Sequence, residues 1–435
     1  MTTTRWTTCG RKLLRDGRAF FVRGVNYAPT PIGRDARVDM LGDPRVFQRD
    51  LANLRRMHAN AVKTYDFDTA VDHSPFLDAA FNGGAQPIYV VFSLWIDEAL
   101  MASGVRASGA AFQAAARGYF EMARRTGAHP ATMGYSIGGE LNRHRIVRDA
   151  QFWEKFGLLT SAVRRGLAAA GGAAKVITTT FMDDTARSFR AGARFRADVD
   201  LWGANLYRSD LASAVLPTFL SVPGGKPLLV SEYGVPCASN AREGNASELA
   251  TVARAIVDQS AALQRNFEAR DALREQVAVG GFVFEYSDEW WKAGAVDVHD
   301  FGVMRGANFP LGYWAEEFFG LFSASRAAPV SGNGNGSGLN ATVDELHARP
   351  TVALLTELWG RGALATEHAD HAACNYTAEA LAAKRDEALY APRGLGFLGW
   401  LAVVILVGIA SVVGAALVRK KLRRAGYRKI PVLVQ

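Results

Sequence analysis

Cysteine is scarce in this chain, which has only Cys9, Cys237 and Cys374 among its 435 residues. An odd number of cysteines allows at most one internal disulfide, so a disulfide framework that replaces a hydrophobic core is excluded. No CxxC or HExxH spacing occurs, and we therefore predict no metal site. No glycine-rich phosphate loop is present, so a nucleotide is not expected, and we predict no cofactor.

Positive charge is also scarce outside the C-terminal tail. The net charge is +8, but a short terminal stretch holds seven of the basic residues: Arg419, Lys420, Lys421, Arg423, Arg424, Arg428 and Lys429. Removing these seven charges leaves +1 for the rest of the chain. Nucleic-acid binding requires a basic surface, so we expect no nucleic-acid partner.

One long apolar run precedes the basic tail. Residues 394–418 contain no charged side chain, and about 20 apolar residues are enough to cross a lipid bilayer. We predict a transmembrane helix over 394–418, with the basic tail 419–435 in the cytoplasm and all preceding residues outside the cell. A buried core helix is the alternative, but such a helix rarely stays apolar on every face.

This orientation requires export, yet the first residues show no apolar stretch typical of a secretion signal. We expect that a signal precedes them; a tail-anchored protein with a cytosolic domain is the alternative, which the basic tail disfavours. Four tripeptides before the apolar run fit the N-glycosylation pattern, at Asn245, Asn335, Asn340 and Asn375. They agree with an extracellular location, although such tripeptides also arise by chance.

Short β-rich runs alternate with amphipathic helical segments from about residue 20 to residue 322. The eight candidate strands are AFFVRGVNY, AVKTY, PIYVVFSL, TMGYSIG, KVITTTF, LWGANLY, PLLVSEYG and GGFVFEYS. Eight strand and helix units predict an α/β fold, the (β/α)8 TIM barrel, in which functional residues stand at the C-terminal ends of the strands.

The composition divides the chain around this barrel. We predict an N-terminal extension over 1–17, the barrel over 18–325, a linker rich in Gly, Ser and Asn over 326–342, and a helical segment over 343–393 before the membrane span. The helical segment forms a stalk or packs against the barrel.

Two glutamates stand at predicted strand ends. Glu140 follows the fourth strand in YSIGGELN, and Glu232 ends the seventh strand in KPLLVSEYG. A carboxylate at a barrel mouth is costly to bury without a partner, and a retaining glycosidase needs two carboxylates about 5 to 5.5 Å apart. A solvated or ion-paired glutamate is the alternative for either one alone, but the pair predicts chemistry on a sugar.

These motifs resemble the large glycosidase clan whose catalytic glutamates end the fourth and seventh barrel strands. Glycoside hydrolase family 72, the β-1,3-glucanosyltransferases, looks closest. FFVRGVNY, DPRVFQRDLANLRRMHANAVKTYDFD, IYVVFSL, GANLY, LLVSEYG, GGFVFEYSDE and DFGVM are similar to successive segments of that family. The similarity spans about residues 18–305.

The resemblance implies that Glu140 is the general acid/base and Glu232 the nucleophile. It also implies sugar contacts from five further residues: Asn205, Tyr207, Tyr233, Glu285 and Tyr286. From the motifs we add Tyr65, Asn142 and Trp290 to these predicted contacts. Trp95, Trp290 and Trp291 either stack on sugars or are ordinary core residues. Lys63 either hydrogen-bonds the nucleophile or lies on the surface, and we expect Asp288 and Glu289 to be solvated.

Two positions depart from the family. Gly139 occupies the position where the family has an Asn that contacts the sugar 2-hydroxyl, and Ser93 replaces an Asp on the third strand. We predict a membrane-anchored retaining glycosidase or glucanosyltransferase that acts on β-glucan or another oligosaccharide of the cell wall. The alternatives are a β-glycan hydrolase and a non-catalytic sugar-binding ectodomain. A membrane-surface protein that acts through its basic tail would leave both glutamates without a role.

Overall fold

The computed structural model describes residues 3–35, 39–183, 185–240, 242–269, 276–302, 304–306, 308–327 and 343–368. Within them, eight parallel strands form one sheet. We label these β1 (Val22–Asn26), β2 (Ala61–Lys63), β3 (Tyr89–Leu94), β4 (Thr132–Ile137), β5 (Val176–Thr179), β6 (Trp202–Asn205), β7 (Leu228–Tyr233) and β8 (Ala278–Val283). They correspond one for one to the eight predicted strands.

The strands follow chain order around the sheet, with β8 beside β1. Between β5 and β6 the barrel closes through a parallel bridge from Phe181 to Ala204 and through the Gly203 N–H, which donates to Thr179 Oγ1 at 2.9 Å. Gly203 permits this approach, because a Cβ atom there would lie 1.9 Å from the Thr179 carbonyl oxygen. The predicted (β/α)8 fold is confirmed.

Helices lie between successive strands, and one more follows the barrel. They are α1 (Pro44–Arg56), α2 (Ser74–Phe81), α3 (Ala110–Thr126), α4 (Ala150–Ala170), α5 (Thr185–Arg194), α6 (Leu216–Leu220), α7 (Ala246–Phe267) and α8 (Pro350–His368). Local signals start them: the Asp43 side chain accepts from the Arg45 N–H at the start of α1, and Asn245 and Glu248 form a capping box at the start of α7.

The eighth helix comes from the segment that follows the predicted linker. Leu355 and Trp359 of α8 are fully buried, and the Trp359 indole N–H donates to Ser260 Oγ of α7 at 2.9 Å. This helix therefore packs against the barrel. The preceding stretch, predicted as helix, is instead a strand (Glu345–Ala348) that pairs antiparallel with Phe322–Ser325.

An N-terminal hairpin covers the bottom of the barrel. Its strands Trp6–Cys9 and Lys12–Arg15 pair antiparallel, and Arg18–Ala19 adds a third strand. Trp6 is 1% exposed and makes edge contacts with Phe20 and Tyr89, with ring centroids 4.8 Å apart in each case. Cys9 is disulfide-bonded, whereas Cys237 is free and buried. Trp6 and Leu13 of the predicted N-terminal extension therefore pack in one cluster with residues of the barrel strands.

Several predictions from the sequence concern residues outside the described ranges. No helix of the described ranges is long and apolar enough to cross a membrane. The predicted span 394–418 and tail 419–435 lie outside those ranges, as do most of the linker and Asn335, Asn340 and Asn375. Asn245 is exposed at the start of α7, where its Oδ1 accepts from the Ser247 and Glu248 N–H groups.

Candidate active site

Glu232 lies near the end of β7 and is buried at the barrel mouth. Three side chains from other strands surround its carboxylate. Lys63 Nζ and Tyr65 Oη donate to Oε1 at 3.1 and 2.7 Å, and Tyr207 Oη donates to Oε2 at 2.8 Å. Lys63 is 1% exposed, so of the two alternatives for this residue the structure has the hydrogen bond to Glu232 and not the surface position.

These contacts determine the charge of Glu232. Burial would raise the pKa of Glu232, but the Lys63 charge and the hydrogen bonds from Tyr65 and Tyr207 outweigh burial and lower the pKa below its ordinary value. Burial also raises the pKa of both tyrosines far above the ordinary value, so their hydroxyls stay protonated and donate. Glu232 is therefore an ionised carboxylate held in one orientation, as a nucleophile requires.

Glu140 follows β4 and has an uncommon backbone. Its φ is 53°, a left-handed value that is rare outside glycine, and its N–H donates to the Thr180 carbonyl at 2.7 Å. Non-glycine residues in this region concentrate at functional sites. One oxygen accepts from Asn205 Nδ2 at 3.0 Å, and the other is paired with the Arg143 guanidinium.

Asn205 links the two glutamates. On β6 it lies in register with Glu232 of β7, while its amide donates to Glu140. Its carbonyl oxygen accepts from Ser231 Oγ at 2.8 Å, which fixes the orientation of the amide. The structure therefore brings together Glu140, Glu232, Asn205, Tyr65 and Tyr207 from the predicted site. In it, Asn205 and the two tyrosines hold carboxylates.

Tyr233 and Tyr286 are not in this cluster. Tyr233 is 1% exposed, and its hydroxyl bonds Ser260 of α7, on the outer side of the sheet. The Tyr286 hydroxyl donates to Asp50 Oδ1 at 2.8 Å and accepts from Asn53 Nδ2 at 3.0 Å, both on α1. Both tyrosines therefore pack the barrel wall, contrary to the sugar contacts predicted for them.

The Asn142 side chain also lacks the predicted sugar contact, because its amide bonds the loop after β5. Its Nδ2 donates to the Met182 carbonyl at 3.0 Å and to Ser188 Oγ at 3.2 Å, and its Oδ1 accepts from the Met182 N–H at 2.8 Å. With the side chain 5% exposed and its amide engaged, Asn142 does not replace the sugar contact that Gly139 lacks. It holds the loop after β5 against the loop after β4.

A buried charged cluster follows β8. Glu285 and Glu289 are 0% and 3% exposed, and Lys292 Nζ donates to Glu289 Oε2 at 2.6 Å. Burial and the neighbouring carboxyl raise the pKa of Glu285 well above its ordinary value. A hydrogen bond between the Glu285 and Glu289 carboxyl groups acts in the same direction, since it favours the protonated form of Glu285. Glu285 is therefore a neutral acid below the surface of the site, where we had predicted a direct sugar contact.

The prediction that Asp288 and Glu289 are solvated is wrong. The Asp288 carboxylate is 0% exposed and accepts two hydrogen bonds from the Arg349 guanidinium, each 2.7 Å long. This ion pair joins the loop after β8 to the residue before α8. Sequence spacing gave no signal for it, because the partners are 61 residues apart.

The tryptophans of this loop lie beside the cluster. Trp290 is half-buried and stacks on His299 with ring centroids 4.6 Å apart. The indole N–H groups of Trp290 and Trp291 are buried and have no hydrogen-bond partner in the described part of the chain. A group of His, Cys, Asp and Glu that could bind a metal is not found among the described residues.

Comparison with known proteins supports the same interpretation. Residues 4–144 match the profile of the glucanosyltransferase family, glycoside hydrolase family 72. The matched range contains β1 to β4, Lys63, Tyr65 and Glu140, whereas Glu232 lies beyond it. The predicted resemblance to this family is confirmed. No curated protein matches the sequence.

Solved structures extend the similarity over the whole barrel. Saccharomyces cerevisiae Gas2p with laminaritriose and laminaritetraose is 16% identical, with a TM-score of 0.55, over 86% of this chain and 74% of that one. A glutamate-to-glutamine mutant of the same yeast protein, with laminaritetraose and laminaripentaose, gives 16% identity and a TM-score of 0.53 over 83% and 68%. At this identity the likeness shows the fold, and the match at 4–144 supports an enzyme of the glycoside hydrolase type.

Proposed function

We propose that the protein is a membrane-anchored, retaining β-1,3-glucanosyltransferase that remodels cell-wall glucan. The observation that carries the proposal is the pair of glutamates at the barrel mouth. Glu232 is held ionised by Lys63, Tyr65 and Tyr207, and Asn205 connects its strand to the Glu140 carboxyl. A double displacement at a sugar uses two carboxyl groups at the glycosidic bond, one as nucleophile and one as general acid/base.

In the first step, Glu232 attacks the anomeric carbon of the glucan while the Glu140 carboxyl protonates the departing glycosidic oxygen. The glycosidic bond breaks, and an ester bond to Glu232 forms. In the second step, Glu140 removes a proton from an acceptor hydroxyl, which attacks the anomeric carbon and releases Glu232. A sugar acceptor gives a transferase, and water gives a hydrolase.

Several observations support the substrate and the location. The matched family is named for glucanosyl transfer, and the similar yeast structures contain laminari-oligosaccharides, which are β-1,3-glucans. The uncharged run 394–418 and the basic tail 419–435 favour one membrane span with the barrel outside. A disulfide at Cys9 agrees with an oxidising compartment.

The experiment incubates the full-length protein in detergent with reduced laminari-oligosaccharides and follows the chain lengths of the products. Glu140→Gln and Glu232→Gln are run in parallel, with Glu154→Gln on the exposed face of α4 as the matched control. Products longer than the donor that disappear in both site variants establish transfer. Shorter products alone indicate a hydrolase, and retained binding without turnover indicates a sugar-binding protein. Full activity in Glu232→Gln would contradict the nucleophile assignment.

A further inference from the structure

Trp95 is the large aromatic side chain that stands out at the barrel mouth. Of the large hydrophobic side chains that are exposed in the described ranges, it is the only aromatic one, and it is 66% exposed. It directly follows β3, between Leu94 and the buried Ile96. A single exposed hydrophobic residue is ordinary on a protein surface. What distinguishes this indole is its position against Gly139, the residue before Glu140.

The Trp95 ring lies over Gly139, the residue before Glu140. A Cβ atom built on Gly139 would be 3.3 Å from Trp95 Cδ1 and 3.9 Å from its Nε1. The backbone of Gly139, unlike that of Gly138, does not have a positive φ, so its conformation does not require glycine. A glycine at this position instead leaves room for the indole, and a longer side chain would displace it.

A buried hydroxyl holds the two loops together. Tyr119 Oη of α3 donates to the Leu94 carbonyl at 2.5 Å and accepts from the Gly138 N–H at 2.6 Å. These groups immediately precede Trp95 and Gly139, respectively. Tyr119 is 0% exposed, so the pairing of the loops is part of the rigid core. The exposed indole is therefore carried on a fixed backbone, and stacking on it needs little rearrangement.

We propose that Trp95 is the stacking platform for the acceptor sugar, and that Gly139 is small in order to seat it. This inference rests on the proposed function. Glu140 exchanges its proton with the leaving or incoming oxygen, so a flat apolar ring beside it lies against the sugar that carries that oxygen. No described residue accepts from the Trp95 indole N–H, which leaves it for a sugar hydroxyl. A Trp face complements the C–H face of a pyranose.

The test compares Trp95→Ala and Trp95→Tyr with wild type in the full-length protein, using a laminari-oligosaccharide donor and varied acceptor concentration. Trp95→Ala should raise the acceptor KM and lower the ratio of transfer to hydrolysis, each about tenfold. Trp95→Tyr should restore most of the ratio. Leu158→Ala, which truncates another exposed apolar side chain on α4, should leave both unchanged. An unchanged ratio in Trp95→Ala, or an equal loss of transfer and hydrolysis, would overturn the acceptor assignment.

Two further arms separate the possible failures. Gly139→Leu, which adds bulk without a polar group, should lower transfer in the wild-type background and cost little more in Trp95→Ala, because the ring that it displaces is then absent. Equal losses in the two backgrounds would refute the coupling of Gly139 to Trp95. If the wild type has no turnover, the proposed function fails by itself. Calorimetric binding of laminari-oligosaccharides then decides whether Trp95 contacts sugar: weaker binding in Trp95→Ala supports it, and unchanged binding overturns it.

Discussion

Replacing Tyr65 by Phe removes one hydrogen bond from Glu232 and leaves the rest of the side chain. The lost bond is 2.7 Å long and ends on Oε1, which also accepts from Lys63 at 3.1 Å. A hydrogen bond to a charged group contributes about 1.5–3 kcal/mol. This free energy favours the ionised form of Glu232, because the hydroxyl donates to the carboxylate.

The sign of the pH effect follows from the direction of the pKa. In the wild type the pKa of Glu232 is below its ordinary value, so the nucleophile is ionised above that pKa and activity falls as the pH drops through it. Without Tyr65 the pKa rises, and the acidic limb of kcat/KM moves to higher pH. Below the limb, kcat/KM should fall by about 10- to 100-fold, the equivalent of the lost hydrogen bond. Above the limb the difference should be smaller.

The assay measures kcat/KM for laminari-oligosaccharide cleavage across the acidic range. Tyr207→Phe, which removes the donor on Oε2, should move the limb in the same direction. Tyr89→Phe is the matched control, because Tyr89 begins β3 at the opposite end of the barrel, where its hydroxyl accepts from Arg15 at 3.2 Å. An acidic limb that stays in place in both site variants would refute the assignment of Glu232 as the titrating nucleophile.

Three other changes test the fold and the surroundings of the site. The stability of Glu285→Gln relative to wild type should rise between about pH 4 and pH 7, because the raised pKa of Glu285 makes the folded wild type hold a proton that the unfolded chain releases. Urea unfolding at these two pH values measures the free energy of unfolding of both proteins. A difference between them that does not change with pH would contradict a buried neutral acid. Trp359→Ala should lower the free energy of unfolding by about 3–5 kcal/mol, because it removes a buried side chain. Glu357→Ala, at an exposed position of the same helix, should change it by less than about 0.5 kcal/mol. Equal effects of the two substitutions would mean that α8 is not packed against the barrel. Asn142→Ala should lower kcat and change KM little, because it releases the loop after β4 from the loop after β5. Steady-state kinetics that match wild type would show that this contact does not position Glu140.

The sequence predicted the barrel because eight β-rich runs alternate with amphipathic helices, and each run corresponds to a strand. It also located Glu140 and Glu232, since both lie at the C-terminal ends of segments whose sequence is typical of β-strands. The side chains that control Glu232 were harder to predict, because Tyr65 is 167 residues away and reaches it only when β2 and β7 face each other across the barrel. The same holds for Arg349 and Asp288.

One error in the predicted site was avoidable. Neighbouring residues on a strand point to opposite faces of a sheet, so if Glu232 points to the mouth, Tyr233 must point to the helices. The structure has this arrangement, with the Tyr233 hydroxyl at Ser260. Arg143 pairs with Glu140 through a turn in which the Arg143 N–H donates to the Glu140 carbonyl at 3.3 Å, and sequence spacing alone does not predict this turn. For Trp95 the sequence left sugar stacking and core packing open, since the exposure of the indole depends on how the loops after β3 and β4 pack.

The mouth holds three buried glutamates, and their surroundings give them different chemistry. Glu285 and Glu289 lie beside one cation, Lys292; burial raises the pKa of both, and the charge of Glu289 raises the pKa of Glu285 further. Glu232 has Lys63 and two tyrosine donors of its own, so its charge is compensated and its pKa falls. A neutral carboxylic acid is a poor nucleophile, whereas a compensated carboxylate can attack and later leave. These surroundings support Glu232 as the proposed nucleophile, whereas Glu289 pairs with Lys292 and favours the charged form of that lysine.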